Sequence, residues 1–268
     1  MLTPSINAMK TSLNKLSSLS LLAMLGAASC FVVGSASAAT LVGEWNFDNE
    51  SDRLANTGST GATHDGTASG TLTYATSTLF GGTGDALDAS FASSYMSIDN
   101  SSTGAGYVDT FDGTSFSVSL WMKAPVGANW QIAARKGEDA NWKIRQFSDG
   151  SSGGQVRVGN AGDNLLGTAF NDGWHHVVLT VDNGTTATSY WDGNLNKAWA
   201  VSYTAADASA LLFGEFVGLI DEVKFYDGVL TSEQVTSLKT TNAIPEPGSY
   251  ALLAGLAGMA FVMARRRI

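Results

Sequence analysis

An all-β sandwich is the fold class this chain predicts, and three observations carry it. Short stretches that alternate apolar and polar residues recur between Gly, Asn and Asp turns, the pattern of strands packed on one face. No stretch longer than about ten residues between positions 40 and 230 keeps helical periodicity, which excludes alternating strand–helix architecture. The stretch from Thr40 to Ala243 is also long enough to bury a core as one all-β unit.

The first strand is expected over residues 41–48, with Trp45 and Phe47 on one face and Glu44, Asn46 and Asp48 on the other. In the strand at 116–122, Phe116, Val118, Leu120 and Met122 line one side, and Ser117, Ser119 and Trp121 the other. Asn171-Asp172-Gly173 turns into a strand at 174–181, and Asp182-Asn183-Gly184 turns into one at 187–191. Asp192-Gly193-Asn194 follows as the strongest hairpin signal, because Gly accepts the positive φ of a tight turn. The last strand spans 219–226. A short helix then closes the domain: Thr231 with Gln234 forms a capping box, and Leu230 packs on Val235 as a hydrophobic staple. The chain therefore divides into a leader at 1–38, a domain at 39–240, a Pro-containing linker at 241–249 and an apolar tail at 250–268.

Both ends read as export signals. Lys10 and Lys15 are the only charges among the first forty residues. An apolar stretch over 16–33 follows them, and then a run of small residues with Ala36 and Ala38 at an Ala-x-Ala cleavage site. That order is a secretory signal peptide, cut after Ala38. Cys30, the single cysteine, lies inside the apolar stretch, so the mature chain has no disulfide, Cys-zinc site or thiol nucleophile. At the other end, residues 250–264 carry no charge and precede Arg265, Arg266 and Arg267. As a helix this run is ~22 Å long at ~1.5 Å per residue, short against a ~30 Å hydrocarbon core. The arginines would stay cytoplasmic and leave the domain outside. The order Pro245-Glu246-Pro247, apolar helix, arginine cluster, chain end resembles the PEP-CTERM sorting signal of Gram-negative bacteria. The resemblance implies recognition by an exosortase-type sorting enzyme and a place in the envelope, at the surface or in extracellular matrix.

The domain pieces, taken in order, resemble the laminin-G-like, concanavalin A-like lectin/glucanase jelly-roll family. The residues that carry the resemblance are Glu44-Trp45-Asn46-Phe47-Asp48 with His64-Asp65-Gly66-Thr67, and residues 116–123. Trp174-His175-His176-Val177 with Tyr190-Trp191-Asp192-Gly193, and residues 218–226 with Leu230, Thr231 and Gln234, complete it. Ala89 departs from the pattern, since an aromatic is usual there, and leaves the local register open. Some relatives are glycoside hydrolases, but their Glu-x-Asp-x-x-Glu arrangement is absent from this chain. Glu44, Asp48 and Glu50 alternate on one face, and Asp221 and Glu222 share a face only across a bulge. No catalytic residue is assigned.

Charge narrows the partners. The domain holds ten basic and twenty-three acidic residues, a net of −13, with no basic patch interleaved with aromatics along the chain. This disfavours nucleic acid and anionic lipid and suits cation binding. Calcium, bound in several members of the fold group, has Asp48 and Asp221 as its candidate ligands. His175 and His176 are adjacent on a strand, point to opposite faces and are expected to be structural. Trp45, Trp121, Trp174 and Trp191 fall in strand patterns and belong to the core; Trp130, Trp142 and Trp199 are the candidates for stacking on sugar rings. The reading is a non-catalytic exported binding or structural protein that recognises extracellular polysaccharide or a surface protein. A divergent glycoside hydrolase or lyase is the alternative.

Overall fold

The computed structural model describes residues 39–82, 84–89, 94–99, 111, 113–124, 131–137, 141–146, 154–159, 161–167, 173–203 and 209–243. The leader at 1–38, Trp130, the Pro245-Glu246-Pro247 motif and the tail with Arg265, Arg266 and Arg267 lie outside them. Among the described residues no helix is long and apolar enough to cross a membrane.

Among the described residues, fifteen strands build two antiparallel sheets. They are β1 (Thr40–Trp45), β2 (Thr67–Ser69), β3 (Thr73–Thr76), β4 (Asp85–Asp88), β5 (Tyr95–Ile98) and β6 (Phe116–Lys123). Then come β7 (Ile132–Lys136), β8 (Trp142–Gln146), β9 (Gly154–Val158), β10 (Asp163–Leu166) and β11 (Trp174–Asp182). The series ends with β12 (Thr186–Trp191), β13 (Asn194–Ala200), β14 (Leu211–Gly214) and β15 (Leu219–Asp227). The first sheet runs β13-β12-β11-β6-β15-β4-β3, with β1 also paired to β15; the second runs β10-β9-β8-β7-β14-β5-β2. Large sequence jumps between neighbouring strands, β6 beside β15 and β7 beside β14, make this a jelly roll and not a meander.

Alternation decides what the sandwich encloses. Phe116, Val118, Leu120 and Met122 on β6 and Val177, Leu179 and Val181 on β11 are buried from the first sheet, as their period-2 pattern requires. Met96, Ile98, Ile144, Val156, Leu211 and Phe213 meet them from the second. Rings bridge the layers: Trp45 lies 5.9 Å from Phe213, and Phe116 lies 5.9 Å from Trp142. Ala89 is fully buried, and its N–H donates to Gly218 O at 3.0 Å.

The outer face of the first sheet is also covered. Helix α1 (Ser232–Thr241) buries Val235 and Leu238, with Leu230 before it, against Val178, Tyr190 and Tyr226. Its capping box forms as the sequence predicts: Gln234 N–H donates to Thr231 Oγ1 at 3.3 Å, and Thr231 N–H donates to Gln234 Oε1 at 2.9 Å. At the other end Asn242 takes a left-handed conformation and caps Leu238 O.

β15 carries the irregularity that shapes the site. Its first residues pair with β4 through Ile220 and Leu87, and its later ones with β1 through Val223 and Trp45. Between them the register against β6 shifts from Asp221 to Lys224, and Glu222 has φ +50°. This is the bulge that Asp221 and Glu222 need in order to share a face.

Candidate binding site

At that bulge a cavity of about 200 Å³ opens, lined by Asp48, Ser77, Phe80, Asp221, Glu222 and Asn242 among others. Four segments meet there: the turn after β1, the 3-10 turn Leu79–Gly81, the bulge of β15 and the end of α1. Asp48 is drawn in because its Oδ1 accepts the Asp85 N–H at 2.8 Å. Gly84 permits that approach, since a Cβ on it would collide with the Asp48 carboxylate. Asp221 is buried, and its Oδ1 accepts the Glu222 N–H at 2.7 Å. Its carboxyl is pushed up to about 7 by burial, opposed by the Ser77 hydroxyl and the Glu222 N–H and reinforced by the charges of Glu222 and Asp48.

Beside it lies a compensated centre. The Lys224 ammonium is buried and sits 2.9 Å from Glu222 Oε2, 3.0 Å from Glu44 Oε1 and 2.7 Å from Asn242 Oδ1. Arg53 pairs with Asp85 and covers the Tyr74 ring at 4.6 Å. Asp48 and Asp221 thus share one cavity with oxygen donors, the chemistry calcium prefers. Yet no three His, Cys, Asp or Glu side chains among the described residues are arranged to hold a metal. Asp48, Asp221 and Glu222 line one cavity without forming a metal cage.

The remaining candidates separate cleanly. His175 Nδ1 lies 2.9 Å from Asp192 Oδ2, and its ring stacks on Trp191 at 4.5 Å. His176 Nε2 lies 2.9 Å from Ser119 Oγ; burial pushes the ring down to about 3, with Lys224 and Lys239 adding to it against Asp192. A ring that stays neutral in the core holds the sheet together and is not a base at ordinary pH. The assignment of Trp142 to a sugar platform is corrected. It is 1% exposed, because its β8 neighbours Lys143 and Arg145 take the outer face and leave the indole inside. Trp199 is half-buried and packed against the core. Of the tryptophans read as core, Trp45, Trp121 and Trp191 are buried and Trp174 is partly exposed.

Two features escaped sequence reasoning. Phe80 is 44% exposed at the mouth of the cavity, with φ +52° and its ring edge-on to Trp121 at 5.5 Å. A lone Phe in a Gly-rich loop carries no strand or helix signal that would mark it. The other is Tyr95, which joins Thr67, Ser69, Ser97 and Asp99 around a second, open groove of about 440 Å³ at the β2–β5 edge.

Residues 90–236 match the family model of the concanavalin A-like lectin/glucanases superfamily, more than half of the chain. The chain belongs to that superfamily. Residues 243–267 of this concanavalin A-like protein match the PEP-CTERM protein-sorting motif. Comparison with curated proteins finds no match. Among solved structures it is similar to domain 4 of AbnA, a GH43 extracellular arabinanase from Geobacillus stearothermophilus, in complex with arabinotriose. The TM-score is 0.57 at 23% identity, over 75% of this chain and 98% of that one. The binding domain of Paraclostridial Mosquitocidal Protein 1 aligns with TM-score 0.58 at 15% identity, over 76% of this chain and 52% of that one. The binding domain of botulinum neurotoxin DC in complex with SialylT aligns with TM-score 0.56 at 13% identity, again over 76% and 52%. This chain spans about half the length of each toxin domain, and at such identities the likeness is one of fold.

Proposed function

We propose that this is an exported, envelope-associated binding protein that recognises extracellular polysaccharide without cleaving it. One observation carries the reading: a concanavalin A-like sandwich and a PEP-CTERM sorting motif stand on the same chain. The similarity to domain 4 of AbnA, solved with arabinotriose, supports a saccharide as the ligand class. On this reading the sorting motif is read by an exosortase-type enzyme during export, and the tail tethers the domain at the membrane before release or fixation. The cavity lined by Asp48 and Asp221 is our candidate for a structural calcium ion, supported by the carboxylate and hydroxyl oxygens in its lining and by the mutual repulsion of its carboxylates.

A glycan array probed with the full chain in mild detergent tests the main reading. Saturable binding to one or more polysaccharides is expected; binding to none would move the function to a protein partner or a structural role. A second reading has one specific support, the Asp221 carboxyl that holds its proton to about pH 7 beside Asp48 and Glu222. A hydrolase needs such a protonated acid next to an ionised one. Release of reducing ends from exopolysaccharide, lost in Asp221→Asn, would establish an enzyme instead.

A further inference from the structure

The outer face of the second sheet carries two kinds of polar residue along one row, and they differ in their partners. From Thr67 the row crosses Ser97 and Leu212, reaches Arg135, Lys143 and Arg157, and ends on Asp163. The cations are engaged within the protein: Glu215 lies 3.2 Å from Arg135, and Asp163, opposite Arg157, pairs with Arg145. The hydroxyls at the other end are not. Among the described residues, none hydrogen-bonds to the side-chain oxygen of Thr67, Ser69, Tyr95 or Ser97, and all four line the groove of about 440 Å³ that Asp99 completes.

Local sequence builds this groove. His64-Asp65-Gly66-Thr67 turns the chain into β2. Gly66 lets that turn pass over β5: its N–H donates to Leu54 O at 2.7 Å, and a Cβ on it would collide with Met96. On β5, Met96 and Ile98 are fully buried, which turns Tyr95 and Ser97 outward. Thr67 stands opposite Ser97, and Ser69 opposite Tyr95, so the four hydroxyls share the outer face. On the other side Gly214 is opposite Tyr95 and places no side chain beside the ring. Its φ of +130° and the close Tyr95 Cα hold that position to glycine. β2 ends its sheet; Thr67 and Asp99 are exposed there, and Tyr95 is half-buried.

Hydroxyls both donate and accept, so a cluster of them matches a ligand that does the same, and a sugar chain is such a ligand. The Tyr95 ring offers an apolar surface to the C–H side of a sugar ring. Asp99 adds an acceptor. A carboxylate has about four acceptor positions, so it takes a sugar hydroxyl beside any partner it already holds. No cation stands among the described lining residues, and the domain carries a net charge of −13, so a uronate or phosphate chain is repelled. An added protein strand is disfavoured as well, because β2 offers an edge of only three residues.

We propose that this groove binds a neutral polysaccharide, one sugar ring lying on Tyr95 and its hydroxyls bonding to Thr67, Ser69, Ser97 and Asp99. This rests on the polysaccharide-binding reading above and names the ligand class and the site. The test measures binding of the full chain, in mild detergent, to arabinan, β-glucan and galactomannan, and to polygalacturonate. Expected is binding of at least one neutral polymer that does not weaken with added salt, since no ion pair holds the ligand. Tyr95→Ala should lower that affinity roughly ten-fold or more, and Tyr95→Phe only a few-fold. Ser97→Ile suits a strand but fills the groove, so it should abolish binding with the fold intact. If Tyr95→Ala loses cooperative melting, Ser97→Ile carries the test. Unchanged affinity in these variants, or loss in Phe80→Ala instead, would overturn the proposal. Binding of polygalacturonate alone would overturn it and leave the broader reading standing; binding to none of the polymers would remove both.

Discussion

Asp221 has the most consequential environment of any single residue here. In the unfolded chain its carboxyl loses its proton near pH 4, whereas in the folded protein burial holds the proton to about pH 7. Between those values the folded state binds more protons than the unfolded one, so stability falls as pH rises through that window. Three pKa units at ~1.36 kcal/mol each make this about 4 kcal/mol at most. Without divalent cations, Asp221→Asn should therefore melt several degrees above the parent at pH 8 and level with it at pH 4. Calorimetry checks this, and equal melting at both pH values would refute the burial argument. The same measurement addresses calcium, since a bound cation favours the ionised carboxylate and would raise the parent's melting temperature at pH 8. If EDTA leaves that temperature unmoved, Asp48 and Asp221 hold no structural ion.

Helix α1 shows how one element closes the fold. It is short, so its stability comes from its cap and from the apolar face set on Tyr190 and Tyr226. Thr231→Ala should cost about 1 kcal/mol, a fall of roughly 2–4 °C on melting, while Thr231→Ser should restore most of it. The cap was legible because its residues are adjacent in sequence. So were the long strands β6, β11, β12 and β15, each six or more residues rich in β-branched and aromatic side chains between turn signals. All of these belong to the first sheet. The strands of the second sheet run only three to five residues. Windows that short hold too few periods to distinguish a strand from a loop, so the whole second layer was invisible. Trp142 was misplaced for this reason: without β8, nothing in the sequence said which way the indole points.

At the scale of the whole molecule, the carboxylate cavity and the row of basic residues lie on different sheets. The carboxylate cavity sits at the bulge of β15 in the first sheet, and the basic row spans β7, β8 and β9 in the second. The sorting motif makes a prediction that depends on neither. Replacing Pro245-Glu246-Pro247 with alanines should leave the melting temperature unchanged but shift the exported chain away from its normal envelope fraction. Fractionation with immunodetection reads this out, and an unaltered distribution would show that the motif is not used.

Local signals were within reach of the chain alone: the PEP-CTERM order over residues 243–267, an acidic cysteine-free domain, the long strands of one sheet and the helix cap. Each depends on neighbours in sequence, on periods of two residues or on charge order over a few positions. Tertiary structure alone decided what lies side by side. Asp48 meets Asp221 because β1 and β4 share β15 as a partner, and the bulge turns Glu222 to the same side. Arg135, Lys143 and Arg157 form a row because three short strands pair in one register. Register is a long-range property, set by how two sheets bury their inner faces against each other, and no local window contains it.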